Sequence, residues 1–291
     1  MNIFSPKTVE EAVALLSDKK GQVLAGGTDL LLHLKHHPSS RPEFLVSLRA
    51  IDLLKTIQFD EKESILRIGS NVTFSEILGS NFIRENLPSL WDASQSVGSV
   101  QIRNIATVGG NLCNSSPAAD TVPVLFSMNS YCVLEKKDGK RRLPVDQVLL
   151  GKGQNILEKD ELLTWIEIPI PKRPYLTAFS KLGKRNALAI SRAAIAMMVE
   201  LESMEEPRIL SCTISTGSLG VKTNHETEGA AFLIGKDLQI LDGEEVAEVI
   251  SKEVGLRLGN RSTAPYKREA VKGLVLECIH KVGRCFAKGG K

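Results

Sequence analysis

The sequence predicts an α+β protein in two parts, and three observations carry that reading. Short apolar runs alternate with helix-period stretches as far as Ile168. Pro169, Pro171 and Pro174 then fall within six residues, and each proline stiffens itself and its predecessor. A domain border is therefore expected near Pro171. Beyond it, strand-like runs come first and helix-like runs later, the order of an α+β layer domain.

The elements follow in order. Thr8 with Glu11 reads as a capping box, and Val9, Ala12, Val13 and Leu16 give the helix its apolar face. Gly21 is a plausible helix stop. Val23, Leu24 and Ala25 read as a buried strand running into Gly26-Gly27, and Thr28 opens a helix through Leu30, Leu31 and Leu34. Residues 44–48 read as another buried strand. Ile57 and Phe59, then Leu66 and Ile68, alternate about a polar turn and predict a hairpin. Thr73 with Glu76 repeats the capping pattern. Helices are expected over 87–97 and 120–128. Strands flanking Asp138-Gly139 predict a second hairpin turning there, and 162–168 one more strand. In the second part, 178–182, 193–201 and 210–215 read as strands, although 193–201 fits a helix equally well. Helices are expected over 243–255 and 266–279.

Composition excludes several classes. The chain has 291 residues, 42% hydrophobic and 24% charged, the profile of an ordinary globular protein. A net charge of +3 with 5% aromatics gives neither a basic patch nor a stacking platform for nucleic acid. No apolar run is long enough for a membrane span. Lys7, Glu10 and Glu11 stand where a secretion signal needs an apolar core, so a cytoplasmic protein is expected. Cys113, Cys132, Cys212, Cys278 and Cys285 are scattered with no C-x-x-C, which argues against a disulfide framework or an iron–sulfur site within this chain. His33 and His37 have the spacing of a helical metal pair, but no carboxylate completes it; no metal is expected.

The chemistry points to two glycine doublets in matching contexts, Ala25-Gly26-Gly27-Thr28-Asp29 and Ala106-Thr107-Val108-Gly109-Gly110-Asn111. Each follows a short apolar run. Adjacent glycines let main-chain N–H groups approach an anion with no Cβ in the way. Thr28, Thr107 and Asn111 add side-chain donors, and Asp120 stands at a helix start where it caps or accepts from a ligand hydroxyl. The expectation is that bare amides of both doublets converge on one diphosphate. Each doublet alone reads more readily as a tight turn, and it is the pair in like contexts that favours the ligand reading. No G-x-x-x-x-G-K-[ST] occurs, and Gly151-Lys152-Gly153 lacks the third glycine of a nicotinamide-type Rossmann loop.

Three motifs together resemble the FAD-binding medium subunit of the molybdenum hydroxylases: AGGTDLL at 25–31, IRNIATVGGNLCNSSPAAD at 102–120 and KLGKRNALAIS at 181–191. GNRSTAPYKREAVKGL at 259–274 resembles the closing helix of the same subunit. The likeness covers nearly the whole chain. It implies a two-lobed FAD-binding domain of the vanillyl-alcohol oxidase/p-cresol methylhydroxylase type over 1–171, with lobes of about 1–55 and 56–171. A smaller α+β C-terminal domain over 175–280 and a tail over 281–291 would follow. It implies non-covalent FAD lined by Gln22, Val23, Leu24, Ala25, Gly26, Gly27, Thr28 and Asp29 in one loop and by Ala106, Thr107, Val108, Gly109, Gly110 and Asn111 in the other. Asp120 and Lys181 match polar residues at the cofactor, and Leu162 an apolar residue against the flavin. Lys181 is also readable as part of a charged loop, with Lys184 and Arg185.

The resemblance further implies partners: a large molybdopterin-binding subunit, a small subunit with two [2Fe-2S] clusters, and NAD or another electron acceptor. The xanthine dehydrogenase branch is the first expectation. Gly220-Val221-Lys222-Thr223 departs from the family's alanine-proline turn, and no cysteine-bearing insert is present. Two other readings remain: a free-standing flavoenzyme such as a reductase of the UDP-N-acetylmuramate pathway, and a nucleotide-binding adaptor without redox activity.

Overall fold

The computed structural model describes residues 1–185 and 189–287. Asn186, Ala187 and Leu188 of the third motif, and residues 288–291 of the expected tail, lie outside the described residues.

The chain opens with β1 (Asn2–Phe4), α1 (Val9–Leu16), β2 (Gly21–Leu24), α2 (Leu30–His36) and β3 (Phe44–Ser47). Thr8 Oγ1 accepts from the Glu11 N–H at 3.2 Å, as the cap predicts. The Glu11 carboxylate reaches one residue further back than in a closed box, to the Lys7 N–H at 2.8 Å. β1, β3 and β2 form a parallel sheet in that order, joined through α1 and α2. Under it, Val9, Ala12, Val13 and Leu16 pack with Val46, Leu48, Ile51, Leu54 and Leu162.

β4 (Ile57–Asp60) and β5 (Ile65–Gly69) make the expected hairpin. α3 (Phe74–Gly79) starts on a reciprocal capping box: Thr73 Oγ1 accepts from the Glu76 N–H, and the Glu76 carboxylate accepts from the Thr73 N–H. α4 (Asn81–Asn86), α5 (Pro88–Gln95), α6 (Val100–Arg103), α7 (Val108–Cys113) and α8 (Thr121–Ser127) follow. β6 (Tyr131–Lys136) pairs with β7 (Gly139–Pro144), with Lys136 opposite Gly139. The two connecting residues are therefore Lys137-Asp138, one position before the expected turn, and Gly139 at φ +147° begins the strand. α9 (Val145–Val148), β8 (Leu149–Gly151), β9 (Gln154–Asn155) and β10 (Leu162–Pro169) complete this part. β10 sits at the centre of a five-stranded antiparallel sheet, β4-β5-β10-β6-β7.

The remainder is β11 (Tyr175–Leu182), β12 (Ala193–Leu201), β13 (Ile209–Gly217), β14 (Asn224–His225), α10 (Thr227–Leu233), α11 (Gly243–Leu258) and α12 (Ala264–Ala287). The four strands form an antiparallel sheet in sequence order. On β12, Ala193, Ile195, Met197, Val199 and Leu201 join the core made with α11 and α12. The alternate residues Ala194, Ala196 and Met198 are buried too, and α8 packs against β12 and β13. A strand covered on both faces shows no alternation, which explains why 193–201 is ambiguous in sequence. α12 runs to Ala287, so most of the expected tail is helix.

The chain divides into two compact units. The first is Met1–Ile77, Gly98–Ser115 and Asn129–Pro169; the second is Leu78–Val97, Ser116–Met128 and Ile170–Lys291. The segments carrying α4, α5 and α8 thus belong with the C-terminal sheet, across the border expected at Pro171. Among the described residues, no helix is long and apolar enough to cross a membrane.

Candidate functional site

The first doublet lies between β2 and α2, in the first unit. Gln22, Val23 and Leu24 are on the strand that delivers it. Gly27 sits at φ +73°, a conformation glycine adopts without strain. Gly27 and Asp29 offer their carbonyls to the N–H groups of Leu31 and His33. Among the described residues, the N–H groups of Gly26, Gly27, Thr28 and Asp29 donate to no protein acceptor. All four residues are at least partly exposed. Four consecutive unpartnered donors at a turn with one left-handed residue are the kind of donor run that suits a diphosphate. The fit to a dinucleotide cofactor rests on this set.

The second doublet is held differently. It is the first turn of α7, capped by Thr107, whose Oγ1 accepts from the Gly110 N–H at 3.1 Å. The Gly109 N–H donates to Ser70 O at 2.9 Å, Val108 to Val72 O and Asn111 to Thr107 O. All four amides are spent within the protein, so Gly109 and Gly110 present no bare N–H to a phosphate. Thr107 is buried as the cap, and Asn111 also has a protein partner.

The glycines of the second doublet serve packing. A Cβ on Gly109 would lie 2.5 Å from Ser70 O. One on Gly110 would face Ala25 Cβ at 3.8 Å, and one on Gly26 would lie 1.9 Å from Ile105 O. The two loops therefore adjoin, the second forming the wall against which the first is set. Ala106 reinforces that wall, its carbonyl accepting from the Phe74 N–H at 3.2 Å. Ile105 meets Gly26 through its backbone and Ser70 meets Gly109 through its backbone and Cβ, and no local sequence signal marks them.

Leu162, expected against the flavin, is 2% exposed within the core beneath the small parallel sheet. Asp120 and Lys181 both lie in the second unit, where they form an ion pair at 2.5 Å, with the Lys181 ammonium also donating to Ser96 O at 3.2 Å. The side chains are 8% and 12% exposed. Burial pushes the Asp120 carboxyl above its ordinary range, against the pull of Lys181. Asp120 Oδ1 is buried with no partner, leaving an acceptor for a ligand donor.

The remaining candidates are accounted for without a ligand. His33 and His37 stack at 4.6 Å, and among the described residues no three side chains could hold a metal. Burial pushes the Cys113 thiol up to about 12, which makes it a poor nucleophile.

Two family profiles and several relatives match this chain. A family profile described as the FAD binding domain in molybdopterin dehydrogenase matches residues 1–171. One described as the CO dehydrogenase flavoprotein C-terminal domain matches residues 178–282. The chain is 32% identical to the nicotinate dehydrogenase FAD-subunit of Eubacterium barkeri, over 93% of this chain and 92% of that one. It is 29% identical to the xanthine dehydrogenase FAD-binding subunit of Escherichia coli O157:H7, over 98% and 96%. Its fold matches a chain of the Hydrogenophaga pseudoflava carbon monoxide dehydrogenase structure with a TM-score of 0.86 at 24% identity, covering 98% and 97% of the two chains.

Proposed function

We propose, from the premise that this chain belongs to the FAD-binding medium subunits of the molybdenum hydroxylases, that it relays electrons from iron–sulfur clusters of a partner subunit to NAD or another acceptor. The observation that carries the cofactor placement is the run of unpartnered amides at Gly26, Gly27, Thr28 and Asp29. They would hold the FAD diphosphate. Charge-assisted hydrogen bonds of this kind contribute about 1.5–3 kcal/mol each. The 106–111 segment would act as their support, fixing the turn so that the donors point together without reorganisation.

When bound, FAD supplies one-electron acceptance and hydride transfer, and the protein supplies position and electrostatics. Non-covalent retention is supported by the absence of histidine from both loops and by the poor nucleophilicity of Cys113. The scattered cysteines leave molybdenum and iron–sulfur chemistry to a large and a small partner subunit. This agrees with relatives described as a medium chain and as a subunit of a dehydrogenase complex.

The test is purification of the chain with its neighbouring gene products. Flavin absorbance released by denaturation, together with co-purifying iron and molybdenum, is the expected result. A colourless chain that takes up no added FAD overturns the proposal.

A further inference from the structure

The β6–β7 hairpin carries Lys136, Lys137 and Lys140 around its turn. Lys136 pairs with Glu158 at 3.0 Å. Among the described residues, Lys137 and Lys140 form no ion pair. Lys140 stands directly opposite Glu135 across the hairpin, a position that favours a pair of opposite charges. The Glu135 carboxylate turns instead to the Thr164 hydroxyl, which donates to it at 2.9 Å.

These lysines border a cleft of about 440 Å³ in the first unit, between the hairpin turn and α1. That volume is within the range of sites for small organic molecules. Val9 and Val13, one helical turn apart, form the α1 wall together with the exposed Ala14. The methylene stems of the lysines extend that apolar surface. Gly139 borders the opposite side, where a Cβ would meet nothing within 4 Å. Glu10 also borders the cleft, but its own N–H and the Thr8 hydroxyl engage its carboxyl and hold it below the ordinary range. Both bordering acids thus have local partners, and one of the three lysines is paired. Two ammonium groups are left beside an apolar wall.

We propose that this cleft binds a small organic anion, with an apolar body against Val9, Val13 and Ala14 and a carboxylate or phosphate head held by Lys137 and Lys140. Lysine is a flexible point charge with three donors, which suits either head group. Burial of the body supplies affinity, and the ammonium groups select a charged ligand over a neutral one of the same shape. No residue of the two glycine loops borders the cleft, so the site does not depend on the flavin reading.

The test is calorimetric titration of the full chain, after addition of excess FAD, with 2-naphthoate, 2-naphthyl phosphate and the neutral 2-naphthol. Saturable binding of an anion that weakens with added salt is expected, with 2-naphthol at least about tenfold weaker. The tighter of the two anions identifies the head group. Lys137→Gln and Lys140→Gln should each weaken binding about threefold, the worth of one exposed charge contact. Both side chains are exposed, so the melting temperature should hold. Ala14→Glu sets a carboxylate on the wall and should abolish binding, whereas Ala14→Gln, of the same size without the charge, should weaken it less. No saturable binding of either anion, equally tight binding of 2-naphthol, or unaltered binding in the double lysine variant overturns the site. A chain that takes up no FAD would count against the electron-relay proposal and leave the cleft standing.

Discussion

In the first glycine doublet and the two residues after it, four successive amides meet no acceptor among the described residues. In the second, every amide from Val108 to Asn111 is taken by Val72, Ser70 or Thr107. The two stretches look alike in sequence and do opposite work. A glycine permits close approach but does not decide what approaches. At Gly26 it is the backbone of Ile105, at Gly109 the backbone of Ser70, and at Gly27 the requirement is a left-handed turn. In the proposed division of labour, one loop would keep its donors for the cofactor, and the other spends its own within the protein.

The strongest way to break this comparison is Gly26→Val. Its Cβ would lie 1.9 Å from a backbone oxygen that cannot rotate away. The expected cost is roughly 3 kcal/mol or more, at the upper end for overpacking, with loss of flavin. The melting temperature and the flavin-to-protein ratio measure it; a variant that melts normally and stays yellow removes the wall from the argument.

Gly27→Ala is expected to cost on the order of 1–3 kcal/mol, because a non-glycine residue at φ +73° is strained. Gly27→Asn should cost less, since asparagine tolerates that region. Flavin dissociation rates should rank glycine slowest, then asparagine, then alanine. Equal rates would mean that the turn does not aim the donors.

Thr107→Val removes the cap of α7 and frees the Gly110 N–H. A loss of about 1 kcal/mol is expected, read as a lower urea midpoint with unchanged slope. Flavin should be retained. Its loss at full stability would show that the Thr107 hydroxyl serves the ligand directly.

The legible parts of this molecule are the local ones. The Thr8 and Thr73 caps use partners three residues away, and the β4–β5 hairpin follows from its own alternation. α1 shows its buried stripe openly. What stayed hidden depends on partners far along the chain. Ser70 claims the Gly109 amide from 39 positions away, and nothing near either residue announces it. The same holds for Leu162, whose partners in the α1 core lie far back along the chain. At the Lys137-Asp138 turn the Asp-Gly signal marks the hairpin but sits one residue late, because Gly139 already pairs with Lys136.

The smallest effect discriminates best. If the second doublet gave its amides to the diphosphate, a methyl group on Gly110 would stand in the ligand's space and the flavin would be lost. If it only supports the first loop, that methyl meets Thr107 Oγ1 at 2.9 Å and Ala25 Cβ at 3.8 Å, and nothing else within 4 Å. Gly110 lies in the first turn of α7 at ordinary helical geometry, where alanine gains roughly 0.5–1 kcal/mol over glycine. The squeeze on the Thr107 hydroxyl offsets part of that. Gly110→Ala should therefore shift stability by less than about 1 kcal/mol and leave the flavin content of the purified protein unchanged. A colourless Gly110→Ala with a normal melting curve would put the second doublet back at the diphosphate and erase the distinction between the two loops.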